Sequence, residues 1–338
     1  MNRCGRKSIY TLAVLLFSMA MGACSSGDEK SITVYSGRSA TLVQPLFEQF
    51  TMDTGVGVDA RYGSTSGTVA LLLEEGDASP ADVVLLQDAG ALGALAMNGL
   101  LSPLPDEALA KVDRKFRSPT GFWVGVSGRA RTVVYNTETI DPVSDLPESI
   151  LDYVQPEWKG RVGWAPLNGS FQAFVTGLRL LEGDAKAKEW LEGMKANGVV
   201  EFPKNTPIVD AVGKGEVDVG FVNHYYLHRF LAEQGPEFGA RNHYSSGDAG
   251  ALINVAGTGI LTTSDSAELA QQFVDYLLSE PAQRYLAEET WEYPLVEGVE
   301  AFGGLPPLVS LDPPDVKLGD LHDLRGTLAL MRQAGVIP

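Results

Sequence analysis

Strand-type and helix-type segments alternate along most of this 338-residue chain. Short apolar runs at 32–35, 56–62 and 82–86 are each followed by a turn and then by a segment with helical periodicity. Three consecutive strand–helix units predict a parallel sheet with helices on both faces. This alternation restricts the fold to the α/β class.

The middle of the chain repeats the alternation. Strand-type runs at 161–164 and 217–222 are interspersed with helical segments, and two long β-type runs, at 131–135 and 251–260, could cross between lobes. The chain is long enough for two lobes, because single cores stop growing at roughly 250–300 residues. We therefore predict an α/β clamshell of two doubly wound lobes joined by crossover strands. Approximate bounds are 31–130 with 256–305 for the first lobe and 131–255 with 306–338 for the second.

The amino terminus has the pattern of an export signal. Basic residues within 3–7 precede an apolar run at 9–21, which is too short for a membrane-spanning helix. Two small residues then precede Cys24, an arrangement that resembles a bacterial lipoprotein cleavage site. We expect residues 1–23 to be a signal peptide, Cys24 to be lipidated and 24–30 to be a lipid-anchored linker.

These features predict an exported monomer, held by lipid alone on the outer side of the cell membrane or located in the periplasm. Met21 differs from the Leu, Val or Ile that usually stands three positions before such a cysteine. Without lipidation, Cys24 would be an unpaired thiol in a secreted protein. Because Cys4 leaves with the signal, no disulfide is expected in the mature chain.

The charge balance excludes one class of partner. The chain has 26 Lys+Arg against 43 Asp+Glu, and removal of the signal takes away three basic residues and no acidic ones. A strongly acidic mature chain lacks the basic face that nucleic-acid binding requires. Its surface would instead concentrate cations.

The motif Asn223-His224-Tyr225-Tyr226 follows an apolar run and should lie where a strand gives way to a helix. Loops at the carboxyl ends of strands bind ligands in open α/β sheets. A phenol keeps its proton up to a pKa of about 10, but a highly charged hard cation can displace that proton. The pair is therefore a candidate ferric-ion clamp. The alternative is two aromatics that pack the start of a helix.

Seven short blocks of sequence occur in order from residue 31 to roughly residue 310. They are Ile32–Arg38, Ser79–Val83, Pro156–Gly160, Asn168–Phe171, Asn223–Tyr226, Asp248–Leu252 and Glu292–Leu295. In this order they resemble the ferric-ion-binding periplasmic proteins, the substrate-binding components of iron ABC transporters. The resemblance implies a type II periplasmic-binding fold, extracytoplasmic binding of ferric iron (Fe3+) as the transported ligand, and delivery to an ABC-transporter permease in the membrane.

The resemblance also implies roles for individual residues. Tyr225 and Tyr226 match the family's paired phenolate ligands. The segment Asn168-Gly169-Ser170 matches a helix start that holds a synergistic anion, phosphate or carbonate, and helix N-termini favour anions. Asn205 and Asn223 match amide positions around the same anion. An ordinary turn, with an N-cap at the helix start, is the alternative for the Asn-Gly-Ser segment.

Two ligand positions depart from the family pattern. Relatives with a His–Glu–Tyr–Tyr site carry a histidine and a glutamate where this chain has Ser39 and Gln87. Asp88 follows directly, but in an extended segment its side chain should point away from that of Gln87. The replacement for the missing ligands is therefore open.

Tyr135 matches a third tyrosine ligand found in tyrosine-rich relatives, which often bind carbonate through arginine. Arg38 or Arg129 could hold that anion here. The alternatives are that Tyr135 packs in the hinge strand, that Arg38 braces its turn, and that Arg129 and Arg131 are solvated.

His224 and His228 have the spacing of paired zinc ligands on one helix face. A polar pair on the helix surface is the alternative.

The sequence carries no nucleophile elbow, P-loop, dinucleotide-binding glycine motif or zinc-protease motif. We therefore predict a binding protein rather than an enzyme. One alternative is a type II binding protein for a polyamine, thiamine or a phosphorylated organic anion, which the loss of the family's histidine and glutamate would suit. A less favoured alternative is an exported metal-dependent hydrolase.

Overall fold

The structure is a computed structural model that describes residues 30–338. The predicted signal peptide, the lipidation site at Cys24 and all but the last residue of the linker lie outside the described residues. No helix among the described residues is long and apolar enough to cross a membrane.

The described residues form eleven strands and eleven α-helices, which alternate along the chain as predicted. The strands are β1 (Ser31–Ser36), β2 (Gly57–Tyr62), β3 (Val83–Leu86), β4 (Leu101–Ser102), β5 (Val124–Asn136), β6 (Val162–Trp164), β7 (Val200–Glu201), β8 (Val219–Asn223), β9 (Ala240–His243), β10 (Ile253–Leu261) and β11 (Tyr293–Pro294). The helices are α1 (Ala40–Thr54), α2 (Thr65–Glu75), α3 (Ala89–Met97), α4 (Asp106–Ala110), α5 (Gly169–Glu182), α6 (Asp184–Ala196), α7 (Asn205–Gly213), α8 (Tyr225–Gln234), α9 (Ala267–Leu277), α10 (Glu280–Thr290) and α11 (Leu324–Gln333).

The sheet of the first lobe has the strand order β2-β1-β3-β10-β5. β1 runs parallel to β2 and β3, as the three strand–helix units predict, and β10 pairs antiparallel with β3 and β5. All four residues of β3 are buried. A continuous apolar run of this kind suits a parallel strand that is covered on both faces.

β5 carries the chain from the first lobe into the second. Its first half pairs with β10 as far as Ala130, and its second half pairs with β8 and β9 from Arg131 onward. β6 lies parallel to β8, and β7 lies parallel to β6. The predicted run at 131–135 is thus the second half of a 13-residue crossover strand. β10 belongs to the first sheet, and the chain enters it directly from the second lobe.

Separate clusters of buried side chains mark the two lobes. The first core surrounds β1, β3, β10 and the first half of β5. The second lobe is packed on both faces of β8, with Phe221 in one cluster and Val222 in the other, as the period of two along a strand requires.

The buried side chains of the carboxyl-terminal segment are divided between the two cores. Leu318 and Leu321 pack in the first core, whereas Leu330 and Met331 pack in the second. The reason is a close backbone contact between α3 and the 3-10 helix at 318–322. A Cβ added to Gly90 of α3 would lie 2.2 Å from the carbonyl oxygen of Leu321.

Candidate functional site

The two tyrosines lie at the junction of β8 and α8. Asn223 is the last residue of β8, and Tyr225 is the first residue of α8. The Tyr225 side chain is buried and that of Tyr226 is half-buried. Their rings stack, with centroids 4.3 Å apart and an angle of 30° between the ring planes. Both phenols therefore occupy the same small region at a carboxyl-terminal strand end.

The surroundings of Tyr225 keep its phenol protonated in the absence of a cation. Burial raises the pKa of Tyr225 well above its ordinary value, and the proximity of Tyr226 and Glu292 acts in the same direction. The positive charges of Arg38 and Arg129 oppose this shift only in part. A ligand that uses this phenol as an oxygen donor must displace the proton, which requires a cation of high charge.

A buried ion pair stands beside the tyrosines. Arg38, in the turn after β1, contacts Glu292 with 2.5 Å between Nη2 and Oε1, and both side chains are excluded from solvent. The Ser127 hydroxyl donates to the other carboxylate oxygen of Glu292. Burial alone would raise the pKa of Glu292, but Arg38 and Arg129 outweigh it and hold that pKa below its ordinary value.

Two further arginines are buried on the crossover strand without ionic partners among the described residues. Arg129 is 1% exposed, and none of its three guanidinium nitrogens has a hydrogen-bond partner in that part of the chain. Arg131 donates from Nη2 to the carbonyl of Phe221 at 3.1 Å, but its Nε and Nη1 have no partner among the same residues. Burial lowers the pKa of Arg131 to about 9. The interpretation of these two arginines as solvated is wrong.

The three arginines give this region an excess of buried positive charge. The charge of Arg38 is balanced by Glu292. Arg129 and Arg131 lie close enough to interact with the charges of the tyrosine pair, but no carboxylate is bonded to either arginine. A buried charge that lacks a partner is costly, because it has lost its hydration and gained nothing in return. An anion that binds these guanidinium groups would remove that cost.

The segment Asn168-Gly169-Ser170 forms the start of α5. The Asn168 side chain accepts from the backbone N–H of Ser170 at 2.9 Å, so Asn168 is the helix N-cap. The hydroxyl of Ser170 in turn accepts from Nδ2 of Asn205, 3.3 Å away, at the start of α7. The Asn205 Oδ1 and the Asn223 Nδ2 are buried without partners among the described residues. Asn168 takes up the next N–H groups of α5, since its side chain accepts from Ser170 and its carbonyl from Phe171, so the N–H of Gly169 is the one left for an anion at this helix start.

A cavity of about 430 Å³ lies between the lobes. Residues of both lobes line it, and neither Tyr225 nor Tyr226 is among them. Two lining residues connect the cavity to the arginines that act on Tyr225. Gly37 directly precedes Arg38 in the chain, and the charge of Arg129 lowers the pKa of Asp88 in opposition to burial. The lining residues are Gly37, Ser39, Gly63, Ser64, Thr65, Ser66, Gln87, Asp88, Leu167, Asn168, Gly169, Gln172, Ala173, Thr176, Pro203, Lys204, Leu321 and Leu324.

Gly37 brings two of these walls together. A Cβ at this position would lie 2.7 Å from Oγ1 of Thr65, the first residue of α2. Only glycine lets the end of β1 approach the start of α2 so closely. The turn therefore sets Arg38 and the amino end of α2 beside the same cavity.

The two positions that depart from the family pattern do face the cleft. Ser39 and Gln87 both line the cavity. Asp88 lines it as well, and its Oδ1 accepts from the N–H of Ala91 at 2.8 Å as the N-cap of α3. Burial raises the pKa of Asp88. Asp88 has the extended backbone conformation on which the expected opposite directions of the Asp88 and Gln87 side chains rest, with φ −146° and ψ 151°, so that expectation stays a prediction.

Tyr135 is not brought to the tyrosine pair. In the antiparallel pairing of β5 with β8, Arg131 lies opposite Asn223 and Tyr135 lies opposite Val219. A separation of four residues along a strand is about 13 Å. Tyr135 is half-buried and packs against the second core, so we do not include it among the proposed metal ligands.

The two histidines form neither a zinc pair nor a surface pair. His224 is fully buried; its Nδ1 accepts from the N–H of Ala130 at 3.1 Å, and its Nε2 lies 2.8 Å from the Trp291 carbonyl. Burial lowers the pKa of His224 to about 4, so the ring is neutral at physiological pH. The prediction that His224 and His228 share a helix face is wrong because His224 precedes α8 and lies against the crossover strand.

Sequence reasoning did not assign roles to Arg131 and Glu292. Two arginines spaced by two residues in a strand share a face, and this spacing within a long β-type run was a usable signal for Arg131. Glu292 is 254 residues from its partner Arg38, and no local pattern relates them. No group of three or more His, Cys, Asp or Glu side chains in the described residues could hold a metal ion.

A family model described as bacterial extracellular solute-binding protein matches residues 78–310. The major ferric iron-binding protein of Neisseria meningitidis is 35% identical over 90% of this chain and 93% of its own length. The Fe(3+)-binding periplasmic protein of Serratia marcescens is 32% identical over 98% of both chains.

The fold is also similar to a solved structure, that of iron-bound HitA from Pseudomonas aeruginosa. The TM-score is 0.86 and the identity 36%, over 90% of this chain and 99% of the other. This likeness confirms the predicted two-lobed, type II periplasmic-binding fold. Taken with the buried arginines and the tyrosine pair, these matches show that the chain belongs to the bacterial extracellular solute-binding proteins, among the ferric-ion-binding members of that family.

Proposed function

We propose that this protein binds ferric ion together with an anion in the cleft between its lobes, outside the cytoplasm, and delivers the iron to the permease of an ABC transporter. One observation carries the proposal: two stacked phenols lie beside buried arginines that lack partners among the described residues. Relatives named for ferric iron binding support the choice of metal. The family consists of solute-binding proteins, so we propose no catalytic step.

In this proposal Tyr225 and Tyr226 supply two phenolate oxygens to the metal. The raised pKa of Tyr225 means that its proton leaves only when the cation arrives. A divalent ion displaces such a proton less readily than a trivalent one, since the gain is electrostatic. The pair therefore favours ferric over ferrous iron and couples iron binding to proton release.

The anion lies between the arginines and the amino ends of α5 and α7. Arg129 offers three nitrogens without partners in the described part of the chain, and planar guanidinium groups bind oxyanions through paired hydrogen bonds. Arg38 and Arg131 add charge, Gly169 offers its backbone N–H, and the hydrogen bonds between Asn168 and Ser170 hold this helix start in place. Asn205 and Asn223 contribute amides. Phosphate and carbonate are both oxyanions that suit this set.

Closure of the clamshell would complete the site. The cavity has walls from both lobes, and β5 connects them with a single continuous strand. A ligand that contacts both walls binds the closed state more tightly and shifts the population toward it. Docking on the permease would then reopen the lobes and weaken the contacts to iron.

A ferric titration tests the proposal. Ferric ion added to the purified protein with bicarbonate or phosphate should give a visible phenolate-to-iron band that saturates at one ion per chain. Arg129→Gln should lower the apparent iron affinity by about 10- to 100-fold, the usual effect of removing a group that supports metal ligands. Arg284→Gln, at an exposed ion pair with Glu280, is the matched control and should change nothing.

The outcome that sinks the iron proposal is the absence of a band with every anion tested. Stabilisation of such a colourless protein by a polyamine, thiamine or a phosphorylated organic anion would favour the alternative binding function.

We also propose that lipidation at Cys24 tethers the protein outside the cytoplasm. When the full-length chain is produced in bacteria, Cys24→Ser should move it from the membrane fraction to the soluble fraction, as followed by immunoblot. Cys4→Ser is the control, because signal removal takes Cys4 away in either case. Membrane retention of the Cys24→Ser protein would show that another attachment exists.

A further inference from the structure

The crossover strand changes its pairing partner at Ala130. Ala130 is paired with Ile253 of β10, and the next residue, Arg131, is paired with Asn223 at the end of β8. The N–H and the carbonyl of Ala130 both bond to His224, whose backbone N–H donates to that carbonyl at 3.0 Å. In a regular antiparallel pair the N–H of Ala130 would donate to the backbone carbonyl of the residue opposite it.

The ring of His224 takes the place of that carbonyl. His224 already has helical backbone angles, φ −53° and ψ −41°, and its carbonyl accepts from Nδ2 of Asn242 at 2.8 Å rather than from Ala130. The N–H of Ala130 donates to the ring Nδ1 at 3.1 Å instead. A buried backbone N–H without a partner is costly. The imidazole therefore lets β8 pass into α8 without an intervening loop, so that Tyr225 follows the strand at once.

The second nitrogen of the ring reaches the first lobe. Because Nδ1 accepts, the ring proton is on Nε2, which donates to the carbonyl of Trp291 across 2.8 Å. Trp291 ends α10, whose Leu286 packs in the first core, and it is the only described residue other than glycine with a positive φ, 56°. A bulky residue keeps that conformation only where its surroundings hold it. The bond from His224 is one of the contacts that hold this carbonyl.

Each partner of the ring is adjacent to a charged group of the proposed ferric site. Ala130 stands between Arg129 and Arg131, the two buried arginines with unpartnered nitrogens in the described part of the chain. Trp291 immediately precedes Glu292, the carboxylate of the buried ion pair. One side chain therefore connects the crossover strand that carries these guanidinium groups to the first-lobe segment that carries the carboxylate.

The ring of His224 also packs against aromatic side chains. Its centroid lies 4.7 Å from that of Tyr293, at 35° between the ring planes, and 5.8 Å from that of Tyr225, at 87°. The His224 side chain is fully buried, and both of its ring nitrogens are bonded to backbone groups. It therefore has no lone pair to offer a metal, but it lies directly against a proposed metal ligand.

We infer that His224 is a positioning residue of the ferric site. Its ring holds the start of α8, and with it the Tyr225 phenol, in one position relative to the arginines of β5 and to the Arg38–Glu292 pair of the first lobe. Removal of a group that orients metal ligands typically costs about 10- to 100-fold in metal affinity. This inference rests on the proposed ferric function and identifies a residue that sets the geometry of the same site.

Three substitutions at His224 separate its two contacts. In His224→Asn, Oδ1 is as many bonds from Cα as Nδ1 and can accept from Ala130, but the side chain is too short to reach Trp291. In His224→Gln, the amide nitrogen is as many bonds from Cα as Nε2 and can donate to Trp291, but the contact to Ala130 is lost. His224→Phe keeps a ring and removes both contacts. His228→Gln, at a half-buried histidine one turn further along α8, is the matched control.

Ferric titration followed by absorbance measures the affinity and the position of the phenolate-to-iron band. Hydrogen exchange at the Ala130 amide of the iron-free protein reports whether the strand contact is intact. We expect His224→Phe to lower the ferric affinity by about 10- to 100-fold and to shift the band, because the Tyr225 phenolate would meet the iron in a different geometry. His224→Asn and His224→Gln should each recover part of this loss, and His228→Gln should match the unmodified protein.

A structural role alone would give a different result. Faster exchange at Ala130 in His224→Phe or His224→Gln, with the affinity and the band of the unmodified protein, would overturn the inference and leave the ferric function standing. If His224→Phe does not fold, unchanged affinity in both His224→Asn and His224→Gln would overturn it. Absence of the band in the unmodified protein would instead reject the ferric function itself.

Discussion

Tyr225→Phe should lower the affinity for ferric ion by at least about 100-fold, because loss of a direct ligand should cost no less than loss of a group that supports one. Phenylalanine keeps the ring and its stacking on Tyr226, 4.3 Å between centroids, and removes only the oxygen donor. The fold should therefore be retained while the site loses a phenolate. Tyr226→Phe should act in the same direction, and the double variant should lose the visible band altogether.

The measurement is a ferric titration followed by absorbance, with circular dichroism to confirm folding. Tyr135→Phe is the matched control, since it removes a phenol four residues along the crossover strand from Arg131, the residue opposite Asn223, a separation of about 13 Å. Its band and affinity should equal those of the unmodified protein. Unchanged iron binding in both Tyr225→Phe and Tyr226→Phe would reduce the pair to a packing motif. A bleached band in Tyr135→Phe would restore that residue to the ligand set.

Glu292→Gln should destabilise the iron-free protein by about 3–5 kcal/mol, the usual cost of breaking a buried ion pair from one side. Glutamine has nearly the same shape, so no cavity forms. The cost arises because Arg38 stays buried without its carboxylate, in a region that already contains Arg129 and Arg131. The free energy of unfolding from denaturant titration measures this effect.

The exposed pair of Glu280 with Arg284 supplies the control for that experiment. Glu280→Gln should change the free energy of unfolding by less than about 1 kcal/mol, because solvent screens surface pairs. A loss of this small size in Glu292→Gln would mean that the buried carboxylate does not support the arginines. A double-mutant cycle that adds Arg38→Gln then isolates the pair energy.

The same pair predicts a dependence of stability on pH. The pKa of Glu292 is lower in the folded protein than in the unfolded chain. Its contribution is therefore present in full above the ordinary carboxyl pKa of about 4.3 and is lost as the pH falls through the lower, folded value. Glu292→Gln should remove this part of the acid sensitivity.

Local pattern was sufficient for the architecture. Apolar runs of strand length, followed by turns and helical periodicity, predicted the parallel arrangement of β1, β2 and β3, because these signals depend on neighbours in sequence. The position of Tyr225 at a strand–helix junction was predicted in the same way. The prediction of His224 on a helix surface was wrong because local pattern does not report contacts between residues that are distant in sequence. Its burial depends on Ala130 and Trp291, which are far from it in sequence.

The sequence by itself determined an exported, acidic α/β chain with a tyrosine pair at a strand end, since composition and periodicity carry that information. Only the tertiary structure decided which charged groups accompany the pair. It buried Arg129 and Arg131, joined Arg38 to Glu292 across 254 residues, and left Tyr135 at the far end of the strand pairing. The physical reason is that burial and charge pairing depend on distances in space, which arise only when the crossover strand brings the two lobes together.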